Sequence, residues 1–140
     1  MPSVKLELQG AIVQRLKADP AVTALVNGRI YDQPPTNAVF PYVTYGPSTF
    51  VRDNAGCING YQAFVQLDVW SRGVGNPEAL TIADAVERAL HDVDLVLTTN
   101  ALVFLEHVQT DTARDPDGLT THGVIRLDGF IEQMPPPAHP

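Results

Sequence analysis

Cysteine is almost absent from this chain: Cys57 is the only one among 140 residues. An internal disulfide is therefore impossible, and no Cys-based zinc cluster can form within one copy. A reducing compartment suits such a chain. Long apolar runs are missing too. Nothing approaches the roughly 18 residues of a membrane helix, and the opening MPSVKLELQG lacks the apolar core and cleavage site of a secretory signal. The expectation is a soluble, unexported protein with no membrane partner. Basic residues are scarce, 9 Lys and Arg against 16 Asp and Glu, for a formal charge of -7. That balance argues against a protein that grips nucleic acid by its phosphates. It remains compatible with a surface past which DNA slides without sticking.

What is present is enough for one core. The chain is 44% apolar, and its length makes a second domain improbable on size alone. Val4, Leu8, Ile12 and Leu16 fall on one face of a helix over residues 4–18, with Ser3 as its N-cap. Asp19 and Pro20 open a second, short helix that Gly28 stops. A short extended piece at Arg29 to Tyr31 follows, then a loop pinned by Pro34 and Pro35, then a strand from Pro41 to Tyr45. The turn-rich segment from Gly46 to Gly60 reads as a long mobile loop. Residues 61–70, YQAFVQLDVW, are the clearest strand. Tyr61, Ala63, Val65, Leu67 and Val69 make one uniformly apolar face, while the other face is mixed. Asn76 and Pro77 then cap and open a helix whose inward stripe is Ala79, Ile82, Ala83, Val86, Leu90 and Val93. LVFLEHVQT and THGVIRLDGFIEQ form a long antiparallel hairpin turning at Asp117 and Gly118. The fold class is α+β: a mostly antiparallel sheet with a long C-terminal hairpin, flanked by an N-terminal helix pair and one central helix. Residues 1–132 make the single domain, and 133–140 a proline-rich tail that is extended or disordered.

Residues that carry chemistry do not assemble into any reactive pattern. The stretch DVWSRGVGNPEA runs from strand through Gly73 and Gly75 into helix, an arrangement that often cradles phosphate. A dinucleotide site needs glycine at the position of Glu78, whose carboxylate would repel a phosphate, and no Lys-Ser or Lys-Thr pair follows Gly75. The loop reads instead as a capped connection. His91, His107, His122 and His139 are scattered without metal-ligand spacing, although a hairpin can bring His107 and His122 together. Asp111, Asp115 and Asp117 lack the ligand series of a calcium loop and read as a solvated turn. Cys57 has no activating motif around it. No catalytic residue, cofactor or metal is therefore assigned. Trp70, at a strand end beside polar residues, is either a lid on the core or an interface anchor. Candidate interface residues are Trp70, Arg72, Arg114 and Asp117.

The order of four segments is more telling than any one of them. NGRIYDQPP, FPYVTYG, VQLDVWSRGVGNPEALTIADAVERAL and RDPDGLTTHGVIRLDGFIE follow one another over residues 4–132 in a chain that resembles the tail-completion or tail-terminator proteins of long-tailed phages and gene transfer agents. The resemblance implies a non-enzymatic ring, typically a hexamer, on the head-proximal end of the tail tube. Such a ring stops tube polymerisation and joins the tail to the neck. The implied partners are other copies of the chain, the tail tube protein, the neck or head-tail connector protein, and double-stranded DNA passing without specific binding. The implied location is the tail or neck of the particle, after synthesis in the bacterial cytoplasm. Asp53, Asp111 and Asp115 are candidates for the lumen, where negative walls would repel DNA. Two alternatives stand beside this reading. One is another neck adaptor; the other, from a different class, is a small enzyme or ligand-binding module using the Gly73 and Gly75 loop.

Overall fold

The computed structural model describes residues 3–54 and 58–134. Cys57, His139 and the proline-rich segment 135–140 lie outside the described residues. The elements run α1 (Val4–Ala18), α2 (Pro20–Val26), β1 (Ile30–Tyr31), β2 (Tyr42–Arg52), β3 (Gly60–Ser71), α3 (Pro77–Leu90), β4 (Ala101–Arg114) and β5 (Thr121–Glu132). They build an α+β fold in which α1 and α3 pack on one face of a five-stranded sheet, ordered β1-β2-β3-β5-β4, and α2 packs against those two helices. Only the β1–β2 pairing is parallel.

Local chemistry explains the helix pair. Ser3 Oγ accepts from the Leu6 N–H, and the four apolar residues of the α1 stripe are all buried. Asp19 ends α1 and caps α2, its Oδ1 accepting from the N–H groups of Ala21 and Val22 at 3.0 and 3.1 Å. Such a cap contributes about 1 kcal/mol. Asn27 and Gly28, both at positive φ, turn the chain out of α2. Glu7 on α1 ties down the long connection before β4, with Oε1 accepting from the N–H groups of Thr99 and Asn100 at 3.2 and 3.1 Å. Burial raises the Glu7 pKa, but these amide donors outweigh it and hold the carboxyl below its ordinary range.

Alternation along β3 buries Ala63, Val65, Leu67 and Val69 beneath the helices, joined there by Ile125, Leu127 and Ile131 of β5. The central helix lies across this face, burying Ala79, Ile82, Ala83, Val86 and Leu90. It stops at Leu90, so Val93 is not part of its stripe. Asp92 at φ 51 breaks the helix, and its N–H turns to the Leu105 carbonyl on β4.

Two further expectations are corrected. The segment beginning at Gly46 is not all loop, because β2 continues to Arg52. Gly46 and Pro47 sit in a register shift between Tyr45 and Ser48. Proline cannot donate to the ladder, and a bulge is where that loss does no harm. Beyond it Thr49, Phe50 and Val51 resume pairing with β3. Asn76, for its part, makes no side-chain cap bond; its backbone is already near-helical, and only its carbonyl serves the helix, accepting from Leu80 N–H at 3.0 Å.

Candidate assembly surface

The sheet face opposite the helices is half covered. Tyr42, Trp70 and His122 occupy one row across β2, β3 and β5, so their side chains share that face. The Trp70 ring stacks on His122 at 3.9 Å and 8°, and its Nε1–H donates to Thr44 Oγ1 at 3.0 Å. Phe40, from the loop before β2, packs on Tyr42 with ring centroids 5.0 Å apart. Burial raises the Tyr42 hydroxyl pKa, partly offset by the nearby Arg72 charge. Beneath this aromatic group the nearly buried Asp68 accepts from Gln66 Nε2–H at 2.9 Å and from His122 Nε2–H at 2.7 Å. An ionised carboxylate only accepts, which assigns the His122 proton to Nε2.

Arg72 joins this cluster to the hairpin tip. Its guanidinium lies 4.2 Å from the Phe40 ring centroid, Nε–H donates to Thr120 Oγ1 at 3.2 Å, and Nη2 is 3.7 Å from Asp117 Oδ2. Asp117 in turn accepts from the N–H groups of Leu119 and Thr120 and from the Thr120 hydroxyl. Three of the four candidate interface residues, Trp70, Arg72 and Asp117, are thus brought together at one end of the sheet. Arg114 ends β4 nearby, is exposed, and makes no ion pair among the described residues. Trp70 is half-buried and internally satisfied, and its ring seals the aromatic cluster.

The other half of the open face is bare among the described residues. Val51, Gln62, Phe130 and Phe104 form one row straight across the sheet, and Thr49, Phe64, Asp128 and Glu106 form the next. Val51, Phe64 and Phe104 are 46%, 40% and 44% exposed, which is unusual for three large apolar groups on one sheet face. Beside Phe64 a hollow of about 230 Å³ is lined in part by Arg126 and Asp128. Glu106 and Asp128 face each other across strands, a like-charged arrangement that costs stability. The edge strand β4 adds exposed Val103 and Val108 at its two register shifts, and it buries only Leu105. Sequence reasoning recognised this face as mixed but passed over Phe64, Phe104, Phe130, Glu106 and Asp128. Their alternation was legible; their convergence needed the register.

The candidate lumen aspartates do not converge. Asp53 follows β2 at the end of the sheet where Tyr61 pairs with Ile131, and it accepts from Gln62 Nε2–H at 3.1 Å. Asp111 and Asp115 lie toward the opposite end, about 26 Å and about 40 Å away along the strands by strand rise. Asp111 is ion-paired with Arg126 at 3.0 Å, and Asp115 uses its backbone to close the hairpin turn.

Two suggestions of ligand chemistry are also settled by geometry. Glu78 Oε1 accepts from Ser71 Oγ–H at 2.7 Å and lies against Gly73, so a carboxylate fills the space where a phosphate would enter. His107 and His122 sit on opposite faces of the sheet. His107 meets Glu87 and Thr110 on the helix side, and its N–H donates to His91 Nδ1 at 2.9 Å. Glu87, Arg88, His91 and His107 line a hollow of about 390 Å³. No group of three potential metal ligands occurs among the described residues. No helix there is long and apolar enough to cross a membrane.

The comparisons with known proteins agree with this architecture. Tail completion protein gp17 of Bacillus phage SPP1 is 27% identical over 120 residues, covering 86% of this chain and 88% of that one. A chain in the virion of a native gene transfer agent particle superposes with a TM-score of 0.87 at 28% identity, covering 94% of this chain and 99% of that one. The solved SPP1 gp17 shares the fold, with a TM-score of 0.58, 23% identity, and coverage of 94% and 91%. The family described as tail completion protein gp17 matches residues 10–132, nearly the whole described domain, and this chain belongs to it.

Proposed function

We propose that this chain is a structural component of a phage-like tail. It forms a hexameric ring on the head-proximal end of the tail tube, ends tube polymerisation, and joins the tube to the neck, with DNA passing through its lumen. The observation that supports this most directly is the full-length likeness to a chain of a gene transfer agent virion, together with family membership. A ring of identical subunits needs two different faces that meet head to tail with a rotation that closes. This chain offers such differing faces: a bare, phenylalanine-bearing half-sheet with a free edge strand, and a polar hairpin tip held by Arg72 and Asp117. Polymerisation stops because the ring's upper surface does not repeat the tube's.

Particles made without the protein test the reading. Their tails are expected to vary in length and to fail to join heads, and restoring the protein is expected to add one ring-shaped layer at the head-proximal end. Tails of normal length, joined to heads in its absence, would overturn it. Finding the layer inside the neck instead would assign the chain to a neck adaptor.

A further inference from the structure

We infer that the bare half of the open sheet face receives the hairpin tip of a neighbouring copy, with Arg114 of that copy seated against Glu106 and Asp128. The inference rests on the ring reading above and names its contact surface. Three features carry it. Phe64, Phe104 and Phe130 converge on a sheet face that no element among the described residues covers, whereas the other half of the same face is covered by Phe40 and its loop. Amid these rings two carboxylates oppose each other across β4 and β5, and neither makes an ion pair among the described residues. The nearest basic group on that face, Arg126, is committed to Asp111 at 3.0 Å.

A cation is what such a surface lacks. Between two carboxylates and aromatic faces a guanidinium gains charge-assisted hydrogen bonds and cation–π contact together. Arg114 is an exposed arginine with no ion pair among the described residues, and Leu119, 65% exposed at the hairpin turn, stands near it as an apolar companion. Within one copy it cannot reach: Glu106 and Arg114 lie on the same strand, about 26 Å apart by strand rise. The contact is therefore between copies. It joins unlike surfaces, the kind of contact that closes a ring.

The test is charge exchange between copies. Glu106→Arg and Arg114→Glu, each made separately, are expected to lower incorporation into tails by about tenfold or more, with thermal unfolding unchanged. An equimolar mixture of the two proteins is expected to recover incorporation. In an even-membered ring alternating subunits restore every contact, each either in its native or in its exchanged sense. Wild-type incorporation of both single variants would overturn the inference, and so would failure of the mixture while both variants remain folded. Should either variant unfold, Phe104→Ser replaces it, and undiminished incorporation of that folded variant would count against the docking surface. Imaging of wild-type particles separates the two levels of failure. A ring whose charge-exchanged copies do not recover removes only this contact, whereas no ring at all removes the proposed function.

Discussion

At the residue scale, Gly46 and Tyr45 make opposite predictions from adjacent positions. A Cβ on Gly46 would come within 2.3 Å of Asp68 Oδ2 and 3.2 Å of the Gln66 carbonyl oxygen. Gly46→Ala therefore forces Asp68 away from His122 and leaves a buried carboxylate short of donors. A loss of about 1–3 kcal/mol is expected in denaturant unfolding, together with a change in the fluorescence of Trp70, the sole tryptophan, which stacks on His122. Tyr45 is the reverse case. Burial pushes its hydroxyl pKa up to about 12, and that hydroxyl has no hydrogen-bond partner among the described residues. Ser48 lies close enough to lower the pKa somewhat, yet not in hydrogen-bonding geometry. Tyr45→Phe should leave stability unchanged or raise it by up to about 1 kcal/mol in the same unfolding assay, since an unpaired buried hydroxyl only costs. A clear destabilisation would mean that the hydroxyl is paired after all.

At the element scale, the β4–β5 hairpin is tied at its tip by one carboxylate. The N–H of Leu119, then the hydroxyl and N–H of Thr120, hold Asp117 below the ordinary aspartate value of 3.8. Its folded pKa is thus lower than its unfolded one, so its contribution is fully present above about pH 4. It is lost as pH falls through the folded value. Protection factors of the Leu119 and Thr120 amides, taken relative to intrinsic exchange at each pH, should fall over that acidic window in the native protein. In Asp117→Ala the same amides should show low protection factors at every pH, and Arg72 loses its carboxylate partner at the tip. Equal protection in the variant would show that the turn holds without the carboxylate.

At the scale of the whole molecule, the 16 acidic residues, set against 9 basic ones, are spread over helices, strands and loops. Asp53 and Asp115 occupy opposite ends of the strands. In the proposed ring these two ends face different surroundings, so lysine substitutions separate them. If the Asp53 end faces the passing DNA, Asp53→Lys is expected to slow DNA delivery with assembly intact, while Asp115→Lys leaves delivery unchanged. The converse pattern places the other end at the lumen. Normal delivery by both variants would remove the electrostatic role. Asp111→Lys is a poorer probe, because it also sets two cations against each other at Arg126.

The order and kind of the elements were largely written in the chain. The α1 stripe, the Asp19 cap, the alternation of β3 and the Asp117–Gly118 turn are each local, because capping, helical periodicity and turn geometry depend on neighbours a few residues away. The family resemblance was legible for the same reason, as an ordered series of short segments. Extension of β2 past Pro47 was not, since a bulge becomes visible only when a partner strand fixes the register. Nor was the fate of the two Gly73 and Gly75 neighbours, Ser71 and Glu78, whose hydrogen bond closes the loop to anions. The candidate surface was the least legible feature. Val51, Phe64, Phe104 and Phe130 come from four strands, and nothing local distinguishes an open-face phenylalanine from a buried one. Sequence alone determined the elements, through interactions at short separation. Tertiary structure alone decided which sheet face the helices covered, and so which phenylalanines were left on the open face.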